Sequence, residues 1–334
     1  MPSAGADPVG VATTPGVVVE LGTFLKSQGY AFITVTPLTH QRVLRNRLGH
    51  VAQDLRDAFG WNLPFHADGL LPTPLRETLL EQGWLELEQT LGESGAPLYR
   101  SQLRFGTLGA DLYAHSAYPT TQEDAVFFGP DTYRFASLIA GELALRPLGA
   151  QARILDMGCG GAPGGIAARR AAAAGTSEVV LADINPCALT LARVNATLAG
   201  VQGVCSFVQS DLFKQVDGDF DLIVSNPPYL VDAGQRTYRH GGGAYGEGLS
   251  QRILDQSLQR LRPGGRLILY TGAAVVQGVD AFSDWALEAG TRSGFSVVRH
   301  EIDPDVFGEE LDRDEYRGVD RIAAIGLVLQ RPAP

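Results

Sequence analysis

The chain has 334 residues and a formal net charge of -10, and its only lysines are Lys26 and Lys214, so arginine carries almost all positive charge. This balance argues against strong nonspecific nucleic-acid binding, which needs clustered cations to neutralise phosphates, although it leaves room for a local basic groove. The three cysteines, Cys159, Cys187 and Cys205, are odd in number and lack a CxxC spacing, so neither a disulfide framework nor a zinc site is indicated.

A reducing, cytoplasmic setting without metal is the natural expectation. No apolar run is long enough to span a membrane, and Met1 to Gly16 lacks the basic-then-apolar order of a secretory signal. The length suggests two domains. Residues 1–16 read as a flexible tail, 17–120 as a smaller α+β domain that recognises substrate, and 121–334 as the catalytic domain.

In the N-terminal part, the pattern predicts helices over Pro37–Phe59 and Pro74–Gln82, then strands over Trp84–Glu88, Leu98–Phe105 and Asp111–His115. A helix pair followed by short strands is compatible with a small winged-helix-like module. Arg42, Arg45 and Arg47 fall on one predicted helix, either as a solvated face or as a docking patch.

From about Gln151, strands alternate with helices, the mark of a parallel sheet covered on both faces. Strands are predicted at Arg153–Met157, Glu178–Asp183, Val204–Gln209, Phe220–Ser225, Arg266–Thr271, Ser296–Ile302 and Ile322–Leu329. Helices are predicted at Pro186–Ala199, Gly248–Leu261 and Ala281–Ser293.

Strand one runs into Asp156-Met157-Gly158-Cys159-Gly160-Gly161-Ala162-Pro163-Gly164-Gly165. Glycines there let backbone approach a ligand, at the carboxyl end of a strand where open α/β sheets bind ligands. Strand two ends in Leu181-Ala182-Asp183-Ile184-Asn185-Pro186, where an acid can accept hydrogen bonds from both ribose hydroxyls. Strand three leads to Ser210-Asp211-Leu212. Each acid alone is more often a helix cap or a solvated charge.

Strand four ends in Asn226-Pro227-Pro228-Tyr229. Two rigid prolines can hold the Asn side chain and a neighbouring carbonyl as a preset pair of acceptors for a planar NH2, with the Tyr ring stacked on its face. A nicotinamide-dependent dehydrogenase would explain the Gly-rich loop and Asp183 but not this tetrapeptide.

In this order, the motifs resemble the class I S-adenosylmethionine (SAM) methyltransferases that carry Asn-Pro-Pro-Tyr. The resemblance covers roughly Ala125 to Leu329. Phe127-Phe128-Gly129-Pro130-Asp131-Thr132-Tyr133 and Gly241-Gly242-Gly243-Ala244-Tyr245-Gly246-Glu247-Gly248-Leu249 resemble segments of release-factor glutamine methyltransferases, in which the Pro-acid-Thr element helps close the site. The same core is similar to the small-domain ribosomal RNA guanine-N2 methyltransferases.

The resemblance implies a seven-stranded Rossmann-like α/β sheet and SAM as cofactor. Asp156, Gly158, Gly160, Asp183, Ile184, Asp211, Leu212 and Asn226 would hold the cofactor. Asn226, Pro227 and Tyr229 would serve the acceptor nitrogen. The expected acceptor is a protein glutamine amide or a ribosomal RNA base, on a ribosome- or translation-related partner. A small-molecule acceptor and a non-catalytic SAM-binding module are the alternatives. The acidic segment Glu301–Asp320 reads most simply as a solvated loop, with a lid or a docking site for a basic partner as the second reading.

Overall fold

The computed structural model describes residues 15–47, 49–88, 97–172, 178–232 and 238–334. Helix α1 spans Gly16–Ser27, where Val17, Val18, Leu21 and Leu25 form one buried stripe. The expected helix Pro37–Phe59 is instead two helices, α2 (Pro37–Arg45) and α3 (Leu55–Phe59). The reason is local chemistry. Thr36 caps α2 by accepting from the Thr39 N–H at 3.1 Å, and Asp54 starts a new helix by accepting from the Asp57 N–H at 2.8 Å.

Helix α4 (Thr73–Glu81) follows, and then β1 (Leu85–Leu87), β2 (Tyr99–Ser101), β3 (Leu103–Leu108) and β4 (Asp111–Ser116). The strand expected over Leu98–Phe105 is thus split. Ser101 turns the chain by accepting from the Leu103 N–H and donating to the Leu103 carbonyl. β1–β2 and β3–β4 form two separate antiparallel pairs.

The second half contains α5 (Pro130–Leu145), β5 (Arg153–Met157), α6 (Pro163–Ala171), β6 (Glu178–Asp183), α7 (Pro186–Leu198), β7 (Cys205–Gln209), β8 (Phe220–Ser225), α8 (Gly248–Arg260), β9 (Leu261–Val275), α9 (Ala281–Arg292), β10 (Ser296–Asp303) and β11 (Arg321–Gln330). Seven strands form one sheet in the order β10-β11-β9-β8-β5-β6-β7. β7, β6, β5, β8 and β9 run parallel, and β11 inserts antiparallel between β9 and β10. This is the doubly wound α/β sheet that the alternation predicts.

Alternate residues of the strands feed opposite layers. Ile154, Leu222 and Ile268 pack with Phe135, Ile139, Ile166 and Leu189 of α5, α6 and α7. Leu155, Ile223 and Leu267 pack with Ile253, Leu254, Phe282 and Ala286 of α8 and α9. The N-terminal helices and hairpins build a third cluster that includes Ala188, Leu191, Val194 and Leu198 of α7. Helix α7 therefore has two apolar faces, one to the sheet and one to the N-terminal segment.

Buried Asn195 on α7 joins these parts. Its Oδ1 accepts from the Ala114 N–H at 2.7 Å, and its Nδ2 donates to the carbonyls of Ala114 and Gly161. Arg170 adds a two-pronged ion pair to Asp111.

Candidate active site

A cavity of about 500 Å³ opens at the carboxyl ends of β5, β6 and β8. It is lined by every residue expected to serve the site: Asp156, Gly158, Gly160, Asp183, Ile184, Asp211, Leu212, Asn226, Pro227 and Tyr229. The strand order places them together, since β5 lies between β6 and β8 where the crossovers diverge, the position at which open sheets form a crevice.

The Gly-rich turn is shaped by backbone conformation. Gly158 and Gly160 have φ of 67° and 52°. The N–H groups of Gly158 and Cys159 donate to the Ala182 carbonyl at 2.8 and 3.0 Å, folding the turn against the end of β6. Ala162 keeps a left-handed φ of 65° although it carries a Cβ, which costs roughly 1–2 kcal/mol. Pro163 then occupies the first turn of α6, where no N–H is needed.

Asp156 is buried beneath this turn, and its Oδ2 accepts from the Gly165 N–H at 2.6 Å. Burial pushes its carboxyl up to about 7. The Gly165 hydrogen bond opposes that shift, and the Asp183 charge adds to it. A carboxylate so desolvated suits a cationic ligand group that would restore its charge.

Asp183 organises the loop as well as facing the cavity. Its Oδ2 accepts from Gly160 N–H at 2.8 Å and its Oδ1 from Asn185 N–H at 2.9 Å. Each oxygen keeps a lone pair for a ligand. Burial raises its pKa, against the pull of these N–H groups. Next to it, Ile184 is an apolar side chain left 52% exposed, the kind of surface a flat ring covers. Leu212 has a left-handed φ of 52° and lines the same region.

Asp211 is held differently from its neighbours. Lys214 Nζ donates to it at 2.7 Å and Arg252 approaches at 3.5 Å, and the Lys214 hydrogen bond leads the causes that lower its pKa. A ligand NH would therefore share this carboxylate with two cations.

At the other end of the cavity, Ser225 Oγ donates to the Met157 carbonyl at 2.7 Å and ties the end of β8 to that of β5. Asn226 follows, half-buried, with no side-chain hydrogen bond among the described residues. A half-buried amide with free donors and acceptors at a cavity wall is poised for a ligand. Tyr229 lines the cavity but is itself buried, against Tyr270, Phe307 and the Cα of Gly272.

The glycine-rich stretch supports this turn. A Cβ at Gly241 would lie 2.6 Å from the Pro228 carbonyl oxygen, and one at Gly246 would collide with the Tyr229 carbonyl. Its backbone runs directly against the tetrapeptide, which is why glycine is required there.

The matches to known proteins agree with this geometry. Residues 136–275 match the family model described as methyltransferase small domain. A release factor glutamine methyltransferase of Yersinia pestis is 31% identical over 230 residues, 64% of this chain and 74% of that protein.

The chain belongs to the class I methyltransferases.

A release factor glutamine methyltransferase of Deinococcus radiodurans is 38% identical over 127 residues, 35% of the chain and 44% of that protein. A ribosomal RNA small subunit methyltransferase C of Chromohalobacter salexigens is 33% identical over 144 residues, covering 42% and 38%. The chain spans less than half the length of these two curated relatives.

The methyltransferase cavity also has walls that the sequence did not announce. Tyr238, Arg239, His240 and Phe307 line it, as does Asp131, whose Oδ1 accepts from Tyr270 Oη at 2.6 Å and from Arg134 at 3.1 Å. The Pro-acid-Thr motif contains Asp131 without revealing these partners. Phe307 was hidden in the acidic run, where two aromatics, Phe307 and Tyr316, were the available signal. That run is not a solvated loop throughout: Glu310 and Tyr316 within it are buried.

The expected arginine patch is smaller than its spacing suggests. Arg47 pairs with Asp57 at 3.1 Å and lies 5.2 Å from the Trp61 ring centre, while Arg42 and Arg45 are exposed. Among the described residues no group of His, Cys, Asp and Glu could hold a metal, and no helix is long and apolar enough to cross a membrane.

Proposed function

We propose that the chain is a SAM-dependent N-methyltransferase that acts on the planar amino group of a macromolecule, foremost a protein side-chain carboxamide. The observation that carries the reading is Asn226, an uncommitted amide on the wall of a cavity whose other end holds the Gly-rich turn, Asp183 and Ile184. When bound, SAM supplies an electrophilic methyl on a sulfonium.

The residues present fit such a cofactor. Asp183 has lone pairs for ribose hydroxyls, Ile184 and Leu212 offer apolar faces to an adenine, and Asp211 can accept from its amino group. Buried Asp156 suits a nearby cation. At the acceptor end, Asn226 Oδ1 and the Pro227 carbonyl would accept the two NH2 hydrogens and direct the nitrogen lone pair at the methyl carbon. With SAM bound, the N–C bond would form as the C–S bond breaks, and the nitrogen would then give a proton to solvent. Positioning supplies most of the rate, and the two oxygens stabilise positive charge developing on nitrogen.

The names of the relatives support both protein and RNA acceptors. Charge favours protein. The chain carries -10, and pairing of Arg47 leaves only Arg42 and Arg45 free on the expected docking patch. An RNA base is the second reading, favoured by the ribosomal RNA relative, and a duplexed base would first have to be flipped out.

The test is Asn226→Ala. SAM affinity by calorimetry should stay near that of the unaltered protein while kcat and kcat/KM both fall, since the lost contacts strengthen in the transition state. Near-normal turnover on the acceptor would refute the role of Asn226.

A further inference from the structure

Between β10 and β11 the chain makes an excursion, residues 304–320, that is rich in acids; most of these are exposed, but Val306, Glu310 and Tyr316 turn inward and are buried. Phe307 stands near its start. Its ring lines the catalytic cavity and meets the Tyr229 ring edge-on, with centres 5.9 Å apart and planes at 66°. Its backbone is left-handed, with φ 56° and ψ 40°. A bulky residue in that region is strained and persists only where its surroundings over-determine it, which is most common at functional sites.

The surroundings do over-determine it. The Val306 N–H donates to the Ile322 carbonyl at 2.8 Å, anchoring the excursion to β11. Glu310, buried, accepts from Arg239 and from Arg313, the latter at 2.8 Å. Arg313 also donates to the Val231 carbonyl at 2.7 Å, and the Val231 N–H donates to Tyr316 Oη at 2.9 Å. Tyr316 stacks on Tyr245 and donates to its carbonyl. The excursion thus grips Val231, Arg239 and Tyr245, along the stretch that leaves the Asn-Pro-Pro-Tyr turn. A freely solvated loop makes none of these contacts: burying the Glu310 carboxylate costs desolvation, which its two half-buried arginine partners offset.

We infer that Phe307 is a specificity residue that touches the planar acceptor group, forming a corner with Tyr229, and that residues 304–320 act as the clasp that holds it. The inference rests on the reading of the chain as an N-methyltransferase of planar amino groups. Two aromatic walls at a steep angle admit a flat, uncharged group by one face and one edge. Glu310 is a positioning residue, acting through Arg239 and Arg313.

The experiment uses Phe307→Trp in the full chain, saturated with S-adenosylhomocysteine, with the emission of Trp61, Trp84 and Trp285 subtracted by a parallel titration of the unaltered protein. N-acetylglutamine methylamide, adenosine and guanosine are titrated separately. A saturable change in the emission of the introduced indole is expected with the carboxamide. Adding Glu310→Gln should weaken that response roughly three- to tenfold, the scale of one lost aromatic contact, with affinity for S-adenosylhomocysteine unchanged. If the indole is not tolerated, 4-fluorophenylalanine at position 307, read by fluorine resonance, reports the same contact.

No response to any of the three probes would overturn the assignment of Phe307. An unchanged response in the Glu310→Gln protein would overturn the clasp. A response to a nucleoside but not to the carboxamide would keep Phe307 at the acceptor and overturn the carboxamide reading instead.

Discussion

At the scale of single residues, two of the three carboxylates at the proposed cofactor end make separate predictions. Asp183 holds the N–H groups of Gly160 and Asn185 while facing the cavity, and we propose that it also accepts from the cofactor ribose. Asp183→Ala should therefore weaken SAM binding by about 1.5–3 kcal/mol, the range for a charge-assisted hydrogen bond, and loosen the Gly-rich turn. Calorimetry on the folded variant checks this, and unchanged affinity would remove Asp183 from the site.

Asp156 makes a pH prediction. Its folded pKa, near 7, lies above its unfolded value of about 3.8. Between those values the folded chain holds a proton that the unfolded chain has lost. Its contribution to stability is thus present at low pH, falls as pH rises through that window and is lost above about 7. Melting temperatures of Asp156→Asn should fall less steeply than those of the parent between pH 5 and 8. Parallel curves would contradict the buried, desolvated carboxylate.

At the scale of elements, the acceptor end depends on close backbone approach. Gly272 on β9 lies under the Tyr229 ring, so a Cβ there must push the ring away. Gly272→Ala should lower kcat while leaving SAM affinity within about twofold, since the displaced group faces the acceptor. An unchanged kcat would show that the position of Tyr229 is immaterial.

This is also the scale at which sequence and structure parted. The core strands were legible because β5, β6 and β8 are short apolar runs that end in chemistry-bearing residues. Helix α1 was not, because Val17, Val18 and Val19 are β-branched and burial against α4, α7 and β4 decides for helix. Helix α5 was seen only as the motif at its start. The clasp was unreadable, because the acidic pattern of 301–320 does not reveal that Glu310 turns inward to meet Arg239 and Arg313. The residues expected to hold the cofactor were legible as cavity residues for the opposite reason: strand ends and turns put them in the cavity by topology alone.

At the scale of the whole molecule, the N-terminal residues and the sheet share helix α7. We propose that these residues present substrate to the cavity, and Pro37 at the start of α2 already lines it. Their charge argues for a protein acceptor. Replacing Arg42 and Arg45 with glutamine should change acceptor KM by less than about twofold, with little change in its salt dependence, because few counterions are released. A marked loss of affinity and a flatter salt slope would instead favour RNA.

The central claim is that this cavity moves a methyl group from SAM to a planar nitrogen of a macromolecule. The most direct measurement is transfer of tritium from methyl-labelled SAM to fractionated cell protein, RNA and small molecules. The account predicts label in the protein fraction, stable to base as an N-methyl carboxamide is, and absent with Asn226→Ala. Tight SAM binding without label in any fraction would contradict it and leave a SAM-binding module without catalysis.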